Sequence, residues 1–142
     1  MTLAGRCHCG NLTLEFETAL DPSVLPLRAC QCSFCRAHGV ISTSDPSGRV
    51  SVSAGDASLV QKYRFGLRIT DFILCRRCGV YLLAVAEMDG GRYAVLNANA
   101  LDERERLTSP PRPMDYDGED AASRRARRVA RWTPVARLQG LP

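Results

Sequence analysis

The sequence predicts a mostly β protein of antiparallel strands followed by a C-terminal α-helix. Three observations carry that reading: short segments that alternate apolar and polar residues, seven cysteines gathered in three groups, and one stretch of helical periodicity near the C-terminus. Residues 11–17 alternate at period two, the mark of a half-buried strand. Asp21-Pro22 and Pro26 then break the chain before a cysteine-rich loop over 30–39. Alternation returns at 49–53, after a turn at Pro46 and Gly48. Segments 59–65 and 67–74 are rich in β-formers and flank Gly66, which predicts a hairpin. A second hairpin is predicted from 80–86 and 93–96 around Asp89-Gly90-Gly91. Residues 108–118 are proline-rich and polar and read as an extended connection. The helix follows, capped by Asp117, with Glu119 and Asp120 at the positive end of its dipole. Its apolar stripe is Ala122, Ala126, Val129 and Ala130. Arg124, Arg125, Arg127, Arg128 and Arg131 take the remaining surface, and Pro134 ends it.

A length of 142 residues predicts one domain. Residues 1–107 form its zinc-binding part, and 108–142 supply the proline-rich connection and the Arg-rich helix packed on the same domain. A hydrophobic share of 45% excludes a wholly disordered chain, and no apolar run nears the roughly 20 residues of a membrane helix. The net charge is +4, but six arginines and no acid fall within 124–137, leaving 13 basic against 15 acidic groups elsewhere. Basicity that local argues against a nucleic-acid binder. The odd cysteine count, with no export-type segment at the start, points to a reducing, cytoplasmic setting in which clustered cysteines bind metal.

The cysteines fall into Cys7-His8-Cys9-Gly10, Cys30-Gln31-Cys32-Ser33-Phe34-Cys35 and Cys75-Arg76-Arg77-Cys78-Gly79. Zinc takes thiolates in a tetrahedron, so ligands come in close pairs from separate segments. Cys7 and Cys9 with Cys75 and Cys78 make four, a closed structural site. Gly10 and Gly79 permit a positive φ that turns backbone N–H groups toward the sulfurs. Cys30, Cys32 and Cys35 make three, which leaves a tetrahedral metal one open position, the pattern of catalytic zinc. His38 lies at Cys35-x-x-His38, where it can act as an acid–base group beside the metal or close the site as a fourth ligand, making both metals structural. Arg36, Arg64, Arg68, Arg76 and Arg77 are candidate contacts for an anionic substrate.

With these motifs in place, the chain resembles the glutathione-dependent formaldehyde-activating enzyme family, which includes centromere protein V. The resemblance rests on Gly5-Arg6-Cys7-His8-Cys9-Gly10, on Cys30 to Arg36 with Gly39, and on residues 72–75 leading into Cys78-Gly79. It runs over residues 5–101. It implies a β-tent fold and two zinc ions per chain, the first and last cysteine pairs holding the structural one and the trio the other. The activity it implies is carbon–sulfur lyase chemistry, condensation of glutathione with formaldehyde to S-hydroxymethylglutathione. In that chemistry the trio's metal holds a thiol as thiolate, and His38 or a water protonates the product alkoxide. The partners are then a small thiol and an aldehyde. Two other classes remain open on the sequence: a zinc-stabilised binding module without catalysis, and nucleic-acid or partner binding through the Arg-rich helix.

Overall fold

The computed structural model describes residues 1–141. Its first half-sheet begins with β1 (Thr2–Arg6) and β2 (Leu12–Glu17), antiparallel with Leu3 opposite Phe16, and continues into β5 (Arg49–Ala54) with Phe16 opposite Val50. The period-two pattern sets the faces: Leu12, Leu14 and Phe16 are buried while Thr13, Glu15 and Glu17 face solvent. Phe16 is fully buried at the centre of this core. Phe16→Ala is expected to cost about 3–5 kcal/mol. A lower denaturant midpoint at unchanged slope checks it, and a loss below about 1 kcal/mol would contradict the packing described.

The second half is a meander of β6 (Val60–Tyr63), β7 (Asp71–Cys75), β8 (Tyr81–Met88) and β9 (Gly91–Asn97), all antiparallel. Both predicted hairpins are present. In β8 every residue but Glu87 is buried, because both faces of the strand are covered. Leu83 and Val85 join the main core, whereas Tyr81, Ala84, Ala86 and Met88 join a second cluster around Cys35 and Trp132. Beyond β9 lie β4 (Ser42–Thr43), β3 (Arg28–Cys30) and β10 (Arg112–Met114), the last parallel to β3 with Met114 opposite Cys30.

Four features depart from the sequence reading. β1 contains Ala4 and Gly5 and carries little strand signal, yet it completes the first hairpin. The cysteine-rich segment is not all loop: Ser33–His38 forms a short helix, α1, whose N-cap is Cys32 and whose C-cap is Gly39 at φ 62°. The C-terminal helix α2 (Ala121–Arg131) is capped by Asp120, whose carboxylate accepts the Ser123 N–H at 2.7 Å, and not by Asp117. It ends at Arg131, before Pro134, which belongs to a strand, β11 (Thr133–Gln139). Pro134 is tolerated there because it sits one residue inside the strand's start. β11 runs parallel to β5 and begins antiparallel to β9, so it joins the two halves and drops α2 onto the second cluster.

Candidate metal centre

The quartet assembles where two turns meet. Cys7 follows β1 and Cys75 ends β7, and both are buried with the core; Cys9 is exposed and Cys78 half-buried. Cys7 Sγ lies 3.7 Å from Cys9 Sγ, and Cys9 Sγ lies 3.6 Å from Cys75 Sγ across 66 residues of chain. All four sulfurs fall within 4.8 Å of one another. A zinc–sulfur distance near 2.3 Å in a tetrahedron requires sulfurs about 3.8 Å apart, so this donor set fits the ion. The expected positive φ is present at Gly10 (85°) and Gly79 (80°). N–H groups do turn to the sulfurs: Leu12 donates to Cys7 Sγ at 3.2 Å and Cys78 to Cys75 Sγ at 3.5 Å. Burial pushes the Cys7 thiol up to about 11. Cys78 is brought down to about 6 against its burial, by the N–H groups of Val80 and Cys9 and the thiols of Cys75 and Cys7.

The trio forms on β3 and α1. Cys30 ends the strand, Cys32 caps the helix with its sulfur accepting the Cys35 N–H at 3.4 Å, and Cys35 lies buried one turn in. These three sulfurs also fall within 4.8 Å of one another, with no fourth Cys, His, Asp or Glu among the described residues joining them. Hydrogen bonding from Cys35 draws the Cys30 thiol down to about 6 despite burial. Cys32 is pushed up by burial, and Cys35 by its bond to Cys30 and by burial. Near neutral pH a metal entering the trio must therefore displace protons from Cys32 and Cys35. Protons compete with the ion, so zinc affinity at the trio is expected to rise about a hundredfold per pH unit around pH 7. Zinc titration in weak buffer checks this by counting released protons; a pH-independent affinity would contradict it.

All three trio cysteines line one cavity of about 280 Å³. Its floor is β8 and β9, where Ala84 and Val95 leave space, with Tyr81 and Phe72 beside the sulfurs. Burial holds the Tyr81 hydroxyl protonated far above its ordinary range. The roof is α2. Arg124, Arg127, Arg128 and Arg131 recur at i, i+3, i+4 and i+7, and all four line the cavity. The predicted orientation of this helix holds only in part: Val129 packs on the second cluster as expected, but Ala122, Ala126 and Ala130 are exposed, while Arg127 is only 15% exposed. Arg125 and Arg131 are exposed, whereas Arg124, Arg127 and Arg128 are half-buried. Arg127 pairs with both carboxylate oxygens of Glu119, at 2.9 and 3.0 Å, and stacks 3.6 Å over Tyr116. Arg124 also reaches Glu119, at 3.3 Å, and these cations hold the Glu119 carboxyl below its usual range.

Sequence reasoning missed Arg28, Tyr81 and the arginine face of α2 as cavity residues. The i, i+3, i+4, i+7 spacing of the arginines was the available signal. His38 lies outside the trio: its exposed ring packs 4.4 Å from Phe34 and 6.2 Å from Tyr81 and opens on a separate depression with Tyr63. Of the arginines singled out earlier, Arg64 pairs with Asp71 at 2.6 Å and Arg76 with Gln61 at 3.1 Å, and none of the five lines the cavity.

Two sulfur clusters with metal-ligand spacing, set in a mostly antiparallel β fold, define a protein whose cysteines could hold metal ions. The model of the family "Glutathione-dependent formaldehyde-activating enzyme" matches residues 2–114, and the chain belongs to that family. The chain is also similar to a Rhodobacter sphaeroides protein of known crystal structure, at 27% identity and a TM-score of 0.60, over 78% of this chain and 99% of that one. No curated protein matches it. Among the described residues no helix is long and apolar enough to cross a membrane.

Proposed function

We propose that the protein is a zinc-dependent carbon–sulfur lyase-type enzyme that joins a glutathione-like thiol to formaldehyde or another small aldehyde. The observation that supports this most is the trio: three sulfurs on the wall of a cavity, with no fourth Cys, His, Asp or Glu beside them among the described residues. Zinc bound by Cys30, Cys32 and Cys35 would supply an open position at which a thiol is held as thiolate. The quartet would hold a second, structural zinc. The chain's residues do the rest. Phe72, Val95 and Trp132 line the reaction space and limit water. As the cosubstrate sulfur bonds to the aldehyde carbon, the carbonyl electron pair becomes an alkoxide. Tyr81, protonated and on the same wall, can donate to it and recover its proton from solvent. His38 stands outside this cavity, so the donor role is given to Tyr81.

Thiol addition to formaldehyde proceeds without help, so the gain comes from positioning and one proton transfer. An acceleration of about 100-fold over buffer is the expected size. Zinc-loaded protein mixed with glutathione and formaldehyde, followed by NMR exchange, tests it. A rate equal to that in buffer at full metal loading would end the enzymatic reading.

A further inference from the structure

The cavity contains more cationic donors than the chain satisfies. Arg28, on β3 beside the trio, donates Nη1 to Ser44 Oγ at 2.8 Å, and Ser44 in turn donates to the Arg131 carbonyl at 2.7 Å. Arg128 donates Nη1 to Thr70 Oγ1 at 2.7 Å and lies 4.5 Å over the Trp132 ring. Its Nε is buried with no acceptor. Burial lowers the pKa of both arginines, that of Arg128 to about 10. Glu119, the one carboxylate held inside this cluster, is committed to Arg124 and Arg127. Asp115 and Asp117 are exposed at the mouth, where Asp115 accepts the Asp117 N–H, and neither pairs with Arg28 or Arg128. Among the described residues these two guanidinium groups have no carboxylate partner. Buried donors without acceptors are costly, and a guanidinium fork matches the two oxygens of a carboxylate or phosphate. A neutral thiol brings no such group.

We propose that Arg28 and Arg128 form an anion subsite of the trio's cavity, making the C-terminal helix a specificity element that selects thiols bearing a carboxylate or phosphate. Arg28 lies within the family-matched residues 2–114 and Arg128 beyond them, so the subsite joins the family domain to the chain's C-terminal segment. The role as cosubstrate selector rests on the function proposed above; the anion subsite itself does not. A cationic lining serving only to pack Trp132 would show no preference among ligands, which separates the two roles.

The test has two arms, both on the full-length zinc-loaded chain. In the first, melting is followed with succinate, with inorganic phosphate, and with uncharged ethylene glycol, at constant ionic strength. At ligand concentrations about 100 times Kd the anion is expected to raise Tm by several degrees, glycol by none. The response is expected to vanish in Arg28→Gln and Arg128→Gln, return partly in Arg128→Lys, and persist in Arg125→Gln, whose side chain faces solvent. The larger of the succinate and phosphate shifts identifies the preferred group. In the second arm, condensation with formaldehyde is compared for mercaptosuccinate and 2-mercaptoethanol. A preference of about 100-fold in kcat/KM for the anionic thiol, falling to within about tenfold in Arg28→Gln, is expected. Equal Tm responses to anion and glycol in the wild-type chain would overturn the subsite, even if Arg128→Gln fails to fold. Anion binding without condensation would leave the subsite standing and remove the enzymatic reading. Condensation equally fast with both thiols would leave the enzymatic reading standing and overturn the selector role.

Discussion

Cys7→Ser is expected to leave the chain unfolded in the absence of any other change. Cys7 is fully buried and touches Cys9, and Cys75 and Cys78 lie at and just beyond the end of β7, so a metal held by the quartet would fasten the first half-sheet to the second. A structural zinc of this kind contributes about 10–16 kcal/mol of apparent binding energy, which equals or exceeds the about 5–15 kcal/mol net stability of an ordinary domain. Losing one ligand also leaves three thiols crowded within a few ångströms, Cys75 among them buried, with the buried position of Cys7 filled by a hydroxyl beside the Leu12 N–H. Circular dichroism and melting are the readouts. A cooperative transition within about 5 °C of the parent would mean that the quartet is not a fastening at all.

Cys32→Ser is expected to do the opposite: keep the fold and abolish thiol–aldehyde condensation. Cys32 is half-buried at the N-cap of α1, and serine is itself a good N-cap that can accept the Cys35 N–H now bonded to sulfur. The structural cost should stay within about 1 kcal/mol. The trio, however, falls to two sulfurs, too few to retain zinc with an open fourth position. Condensation should return to the rate in buffer, a loss of about 100-fold if the protein accelerates it as proposed. Retained activity in this variant would place the chemistry away from the trio.

How much was legible in the sequence follows from the range of each signal. Period-two alternation at residues 11–17 and 49–53, and the Asp89-Gly90-Gly91 turn, are local and identify β2, β5 and the β8–β9 hairpin. Cysteine spacing partitions the sulfurs into the same two groups that the fold assembles. β1 and β11 were invisible because their stability comes from neighbours: Gly5 pairs with Leu14, and Pro134 occurs in a strand that β5 and β9 template. α1 was hidden because six residues carry less than two turns of periodicity, and its cap is a cysteine. The orientation of α2 is legible only in part: Val129 packs inward as its stripe predicts, and the alanines beside it do not. Alanines weigh little in burial, so the stripe at 122, 126 and 130 supplies a weak inward force, whereas Arg128 gains Trp132, Thr70 and the cavity. Tyr81 offered no sequence signal, since its role arises from β8 being covered on both faces.

The division of sulfurs into a fastening quartet and a reactive trio is tested most directly by counting zinc per folded chain. Elemental analysis of the wild-type protein and of Cys32→Ser, each taken from the monodisperse folded fraction, is the measurement. The account predicts two zinc ions per chain falling to one, with the melting temperature nearly unchanged. One zinc in both proteins, or two in both, would contradict it.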